Sequence, residues 1–338
     1  MTVQGKVLTV LFLFGSFMAT AQNYGLDSLS YYDFQKVLMR STYQGEIKQS
    51  IDIVEQARNY YPEKEHELFY QLVILNLLNN DEEQALRSYS EAINKGMFLG
   101  ITGEMIRLDS LSDFKTFDSL LSIDKKRLQE RQASTKGEYL IYLPPSYQND
   151  TLYPLFIVLH DWGQSAEELR EIWQAPIMDN MIVVYAQSSK VADMDGYCWS
   201  DFASATEEIN SIFKEIIQKY SVDTNQVVIG GYKQGGQLAV YLSMGQILPN
   251  IGFFVVNPMM PPNFTKENAM QFKTNEQKVV MVTGFLDPTY NEQIAMMNLF
   301  REIKVLYKYS PRKSLGSEFP KDFEDYLRRG LKYMGFKE

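Results

Sequence analysis

Three segments carry side chains able to do nucleophilic or acid–base chemistry, and each follows a stretch that reads as a strand. Residues 227–236 (VVIGGYKQGG) run from an apolar strand through Gly231-x-x-x-Gly235 into an apolar helix. That is the frame of a nucleophile elbow: the glycines allow a tight turn and thrust the central side chain above the sheet. The central residue is Lys233, followed by Gln234. Residues 153–163 (YPLFIVLHDWG) end a buried strand in the loop His160, Asp161, Trp162 and Gly163. Residues 280–287 (VMVTGFLD) deliver the carboxylate of Asp287 into a third loop. A lone Gly-x-x-x-Gly says little, but the ordered set points to a site at one end of a sheet. A lysine there acts as amine nucleophile or base only when its ammonium gives up a proton readily. A nearby Asp287 would hold that proton instead.

The elements that must position these loops alternate. Predicted strands cover 139–143, 155–159, 181–185, 227–229, 251–256, 278–282 and 304–308, with helices such as 166–173, 207–219 and 237–244 between them. Strand, helix, strand predicts an α/β class fold, a doubly wound, mostly parallel sheet with helices on both faces. Ligands of such sheets bind at the carboxyl ends of the strands. Before it, residues 32–126 repeat apolar positions at three- and four-residue steps, which is helical. The clearest pair is 67–78 and 81–94, with Phe69 and Leu72 on one helix and Ala85, Tyr89 and Ala92 on the next. Small-x3-aromatic-x2-small resembles the second helix of a tetratricopeptide repeat, and 33–43 with 46–59 reads as a diverged copy. A plain helical bundle capping the next domain fits equally. Residues 125–136, charged and then polar, read as the interdomain linker.

Composition narrows the chemistry. The chain has 338 residues, 45% hydrophobic and 22% charged, with a net charge of −9, which is ordinary for about two globular domains. The acidic balance and the lack of a basic patch argue against nucleic acid as partner. His66 and His160 are the only histidines, so no His-rich metal site can be built. His66, after a Glu/Lys-rich stretch, reads as a solvated surface residue. Asp193 and Asp195 sit beside Gly196 in what reads as a solvated turn, without a completing ligand set. No Gly-x-Gly-x-x-Gly or P-loop pattern is present, so no metal, nucleotide or other cofactor is expected. The single Cys198 leaves no intramolecular disulfide and reads as a small, partly buried residue. At the N-terminus, Lys6, an apolar run from Val7 to Phe14 and Ala19-Thr20-Ala21 form the pattern of a secretory signal peptide. The run is shorter than the roughly 20 residues a membrane span needs. The expected organisation is a signal peptide over 1–21, a helical domain over 22–131 and an α/β domain over 132–338. The mature chain is expected to have no membrane span and to be exported, to periplasm or medium.

From Gly137 onward the chain resembles the α/β-hydrolase superfamily, and most closely its secreted esterase and polyhydroxybutyrate-depolymerase-like branch. Residues 139–147 (YLIYLPPSY) are similar to the family's first strand and Leu-Pro-x-x-Tyr turn, and the His160 loop to its oxyanion loop. The resemblance implies that Asp287 is the acid of a catalytic triad, that His160 supports its loop, and that the backbone N–H groups of Gln234 and of the loop near Trp162 are the oxyanion donors. It also places Ser317, in residues 315–320 (LGSEFP), where the family carries its catalytic histidine. The departures are decisive. The family elbow reads Gly-Phe-Ser-Gln-Gly-Gly, and here Lys233 replaces the serine. Ser317 replaces the histidine, Asp161 replaces the first glycine of the oxyanion loop, and no histidine follows His160. Nucleophile and base are both absent, and a serine hydrolase needs both. The expectation is a pseudo-esterase that binds a small ligand in the old cleft, or a protein partner through its helical region. The alternatives are an ester hydrolase working through a rebuilt site, with Lys233 as base and Ser317 as nucleophile, or a helical-repeat scaffold. Lys233 is expected at positive φ, paired with Asp287 within about 4 Å.

Overall fold

The computed structural model describes residues 25–101, 111, 115–313, 315–316 and 318–337. The expected signal peptide and Ser317 lie outside the described residues. Seven strands form one sheet: β1 (Glu138–Tyr142), β2 (Tyr153–Leu159), β3 (Ile182–Gln187), β4 (Val222–Tyr232), β5 (Gly252–Val256), β6 (Lys278–Gly284) and β7 (Leu306–Arg312). Their order is β1-β3-β2-β4-β5-β6-β7, with β1 antiparallel to β3 and every other pair parallel. The central strands are Val-, Ile- and Phe-rich because both faces are covered, as in parallel sheets generally.

Side chains alternate across that sheet. Leu155, Ile157 and Leu159 of β2 join one core with α7 (Phe202–Lys219), α8 (Lys233–Met244), α9 (Lys266–Thr274) and α10 (Tyr290–Glu302). Phe156 and Val158 face the other core, with α6 (Ala166–Ile172) and α11 (Phe323–Met334). There Trp173 packs edge-on against Phe156, Phe254 and Phe323. The doubly wound, mostly parallel sheet predicted from the sequence is what forms, and all seven predicted strands are in it.

The helical region comprises α1 (Tyr31–Tyr43), α2 (Ile47–Ala57), α3 (Glu65–Leu78), α4 (Glu82–Asn94) and α5 (Phe117–Ser134) among the described residues. Consecutive helices pack on one another around a third core. Phe69, Leu72, Ala85, Tyr89 and Ala92 are fully buried in it, as their spacing required. Two expectations need correction. Residues 125–134, read as linker, continue α5. Their Lys, Arg, Gln and Glu residues are good helix formers whose charge stays on the solvent side, while Phe117, Leu120 and Asp124 supply the buried stripe. His66 is buried, at 6% exposure, because a loop of the α/β part covers it.

The helical region docks on α6 and on the loop between β3 and α7. Lys64 Nζ lies 2.9 Å from Glu168 Oε1, and Gln132 Nε2 donates to the Ser189 carbonyl at 2.6 Å. The Arg131 guanidinium reaches the Tyr197 hydroxyl at 3.2 Å. Gly100, at φ +63°, presses so closely on the Ala192 carbonyl that a Cβ there would lie 1.8 Å from it. Among the described residues, no helix is long and apolar enough to cross a membrane.

Candidate functional site

The elbow forms as the glycine spacing predicts. Lys233, at the junction of β4 and α8, adopts φ +45°, and its side chain is about a quarter exposed. The turn is tight because helix and strand nearly touch. A Cβ on Gly231 would lie 2.3 Å from the Gly235 carbonyl carbon, and one on Gly235 only 2.1 Å from the Leu159 carbonyl oxygen. No larger residue fits at either position without moving backbone.

The partner of Lys233 differs from expectation. Its Nζ lies 3.8 Å from Asp161 Oδ2, so the pair forms with Asp161 and not with Asp287. Strand order explains this. β2, which delivers Asp161, is the direct neighbour of β4, whereas β6, which delivers Asp287, lies two places away. Neighbouring strands are about 4.8 Å apart, so the acid on the adjacent strand is the nearer of the two. Asp287 is instead buried at the head of its own loop. Its Oδ1 accepts from the Thr289 N–H (2.9 Å), the Thr289 hydroxyl (2.5 Å) and Gln293 Nε2 (3.1 Å).

Asp161 does more than pair with lysine. Its Oδ1 accepts the backbone N–H of Gln234 at 3.1 Å, and the Trp162 N–H also holds the carboxylate. Those are the two donors that the sequence assigns to an oxyanion. Burial pushes the Asp161 carboxyl above its ordinary range, opposed by Lys233 and by both N–H groups, while Asp287 pushes the same way as burial. The N–H groups that the resemblance assigns to an oxyanion are thus occupied by a carboxylate of the same chain.

The loop 160–163 is fixed from behind by His160, which is fully buried and stacked on Trp199 at 4.7 Å. The Ser188 N–H points at His160 Nε2 (3.2 Å), so that nitrogen must accept. Nδ1 therefore carries the hydrogen and donates to the Asp161 carbonyl at 2.7 Å. Trp199 Nε1 donates to the His160 carbonyl, and the Gln234 side chain accepts the Trp199 N–H. Gly163, at φ +72°, donates its N–H to the Tyr197 carbonyl, and Trp162 stays over a third exposed. Both ring nitrogens of His160 are thus engaged by backbone groups, one in its own loop and one at Ser188.

Burial lowers His160 from 6.5 to about 4. The folded chain keeps it neutral in a range where the unfolded chain takes up a proton. Its contribution to stability is full above about 6.5 and is lost as pH falls from there to about 4, reaching about 3 kcal/mol. Denaturant unfolding across that range, with an NMR titration of the imidazoles, checks this. A His160 signal that titrates near 6.5 would contradict it.

One further residue had no distinctive signal in the sequence. Asn257, just past β5, is fully buried at φ +45°. It accepts the Gly284 N–H (2.8 Å) and donates to the Gly316 carbonyl (3.2 Å), tying the loop before Ser317 to the end of β6. Asparagine is enriched at positive φ, and Asn257-Pro258 after a strand is the only local hint. Cys198 is 3% exposed, and burial pushes its thiol up, so it stays protonated. Asp193, read as solvated, is largely covered and caps the N–H groups of Asp195 and Gly196. Among the described residues, no three His, Cys, Asp or Glu side chains group to hold a metal ion.

Residues 191–312 match the phospholipase/carboxylesterase family. That segment contains the elbow and Asp287 but neither the His160 loop nor Ser317. The sequence matches no protein of curated function. A crystal structure of an uncharacterized protein from Bacillus cereus has a TM-score of 0.52 and 18% identity, covering 91% of this chain and 99% of that one. A Bacillus cereus carboxylesterase is 18% identical over 61% of this chain and 98% of its own, with a TM-score of 0.47. Acyl-protein thioesterase 2 from Zea mays is 12% identical over 59% and 100%, with a TM-score of 0.46. The chain therefore has an α/β-hydrolase fold behind a helical N-terminal region, and the part that holds its elbow is similar to phospholipases and carboxylesterases.

Proposed function

We propose that this is a noncatalytic member of the esterase-like hydrolases, exported from the cell, whose old substrate site serves binding. One observation carries the reading. The Asp161 carboxylate, paired with Lys233, sits on the Gln234 N–H where the oxyanion of an ester intermediate has to bind. An oxyanion hole works by presenting unoccupied donors to developing negative charge. Here the donors are already engaged by a carboxylate, and the elbow carries no serine. The rebuilt-site alternative, with Lys233 as base, would have to take its ammonium away from Asp161. The tetratricopeptide-like spacing of Ala85, Tyr89 and Ala92 supports a helical region that recruits a protein partner, which a pull-down with the full chain would test.

Short-chain ester hydrolysis by the purified chain should stay at background, and a serine-directed fluorophosphonate should leave it unlabelled. Substantial turnover abolished by Lys233→Ala would overturn the reading. Export is checked by N-terminal sequencing: a mature chain beginning at Met1 contradicts it.

A further inference from the structure

His66 bridges the two parts of the molecule. It lies in the first turn of α3, 6% exposed, with Nδ1 3.2 Å from Asp195 Oδ2 and Nε2 3.7 Å from Asp193 Oδ1. Both carboxylates belong to the loop between β3 and α7. At 3.7 Å the Asp193 carboxylate is met as charge and not as a hydrogen-bond acceptor, and a neutral imidazole, with one N–H and one lone pair, can turn a donor to only one of the two sides. One ring nitrogen would then face a carboxylate lone pair to lone pair. Only the imidazolium presents a donor to each side.

The surrounding charges sharpen the contrast. On its own helix His66 is followed by Glu67, which faces Asp193, and by Tyr70, whose hydroxyl is pushed up to about 12 by burial and by Asp193. Lys64 sits 2.9 Å from both Glu67 and Glu168, so its charge is shared between those two. On the facing loop are Asp193, Asp195 and the Cys198 thiol, with the charge of Lys190 near enough to act on the thiol. The carboxyl of Asp193 is pushed up by burial and held down by His66. Deprotonating His66 leaves two carboxylates facing a neutral ring, one of them largely buried.

This loop also backs the oxyanion turn. Gly163 N–H donates to the Tyr197 carbonyl at 2.9 Å, and Tyr197 N–H donates to the Gln164 carbonyl at 3.1 Å. A Cβ on Gly196 would lie 2.5 Å from Gly163. Whatever loosens residues 188–197 therefore acts on the turn that holds Asp161.

We propose that His66 is a pH-sensitive clasp: protonated, it fastens the helical region to the 188–197 loop, and deprotonated, it releases that loop and the oxyanion turn behind it. The clasp is independent of whether the elbow site catalyses.

Amide hydrogen exchange on the full chain tests it, with protection corrected for the intrinsic rate. Protection at Gly163, Tyr197 and Cys198 should fall by about fivefold or more between about pH 5.5 and about pH 8, the low end for two coupled sites. Amides of β5 serve as the control and should not change. His66→Gln should flatten the dependence, and so should Asp195→Asn, a nearly isosteric change at an exposed carboxylate. The chain has only two histidines, so the imidazole NMR signal that His66→Gln removes is that of His66. Its midpoint should coincide with the loss of protection. Equal protection at both pH values, a dependence that survives in both variants, or midpoints that disagree would each overturn the proposal.

Discussion

Combining Lys233→Ser with Ser317→His should leave ester hydrolysis near background, and adding Asp161→Gly should raise kcat/KM by about 10²–10³-fold over that double variant. The double variant restores a nucleophile and a base at the positions where the resemblance puts them. It leaves the Asp161 carboxylate on the Gln234 N–H, 3.1 Å away. A tetrahedral intermediate develops negative charge at that donor, and one donor alone is worth that factor. With the carboxylate in place the donor is lost and repulsion is added. Asp161→Asn is the graded control. It removes the charge but keeps an oxygen able to occupy the N–H, so it should recover less than Asp161→Gly. The double variant also strips Asp161 of its ammonium, and a largely covered carboxylate without its cation costs about 2 kcal/mol. Asp161→Gly should return part of that stability in a denaturant melt. A double variant as active as the triple would sink the blocked-donor argument.

Local rules reached the frame of this site, and long-range ones completed it. The strands were legible because runs such as Phe156 to Leu159 are apolar on both faces and end at turn residues. The positive φ of Lys233 was legible from Gly231 and Gly235, which admit the helix against the strand. The partner of Lys233 was not, because it depends on β2 and not β6 lying beside β4, and strand order is not written in any local window. The departure at Asp161 was visible as a missing glycine. That its side chain would turn back onto the Gln234 N–H needed the loop geometry set by His160 and Trp199. His66 and the charged end of α5 misled for a shared reason. Local charge density predicts solvent at both places, while the apolar stripe at Phe117 and Leu120 and the facing loop around Asp195 decide burial.

Asp124→Ala should destabilise the chain by about 3–5 kcal/mol, more than most single substitutions. Asp124 has no exposed surface, and its carboxylate accepts the Leu99 N–H at 2.6 Å and the Ile101 N–H at 3.1 Å, with the Gly100 N–H also directed to it. These N–H groups lie in the turn that follows α4. Burial pushes the Asp124 carboxyl up, and the N–H groups and Arg127 hold it down. Arg127 closes the same turn by donating to the Ile93 and Met97 carbonyls at 2.8 and 2.6 Å. Alanine removes every acceptor at once, and each buried N–H left unpaired costs about 1–3 kcal/mol, less where water enters. The turn is also where Gly100 presses on Ala192, so its release should loosen the 188–197 loop and lower amide protection there. Asp124→Asn keeps one carbonyl oxygen and should cost about 1–2 kcal/mol, while denaturant unfolding of both variants gives the comparison. A loss below about 1 kcal/mol for Asp124→Ala would mean that water replaces the carboxylate and that the turn does not hold the helical region in place.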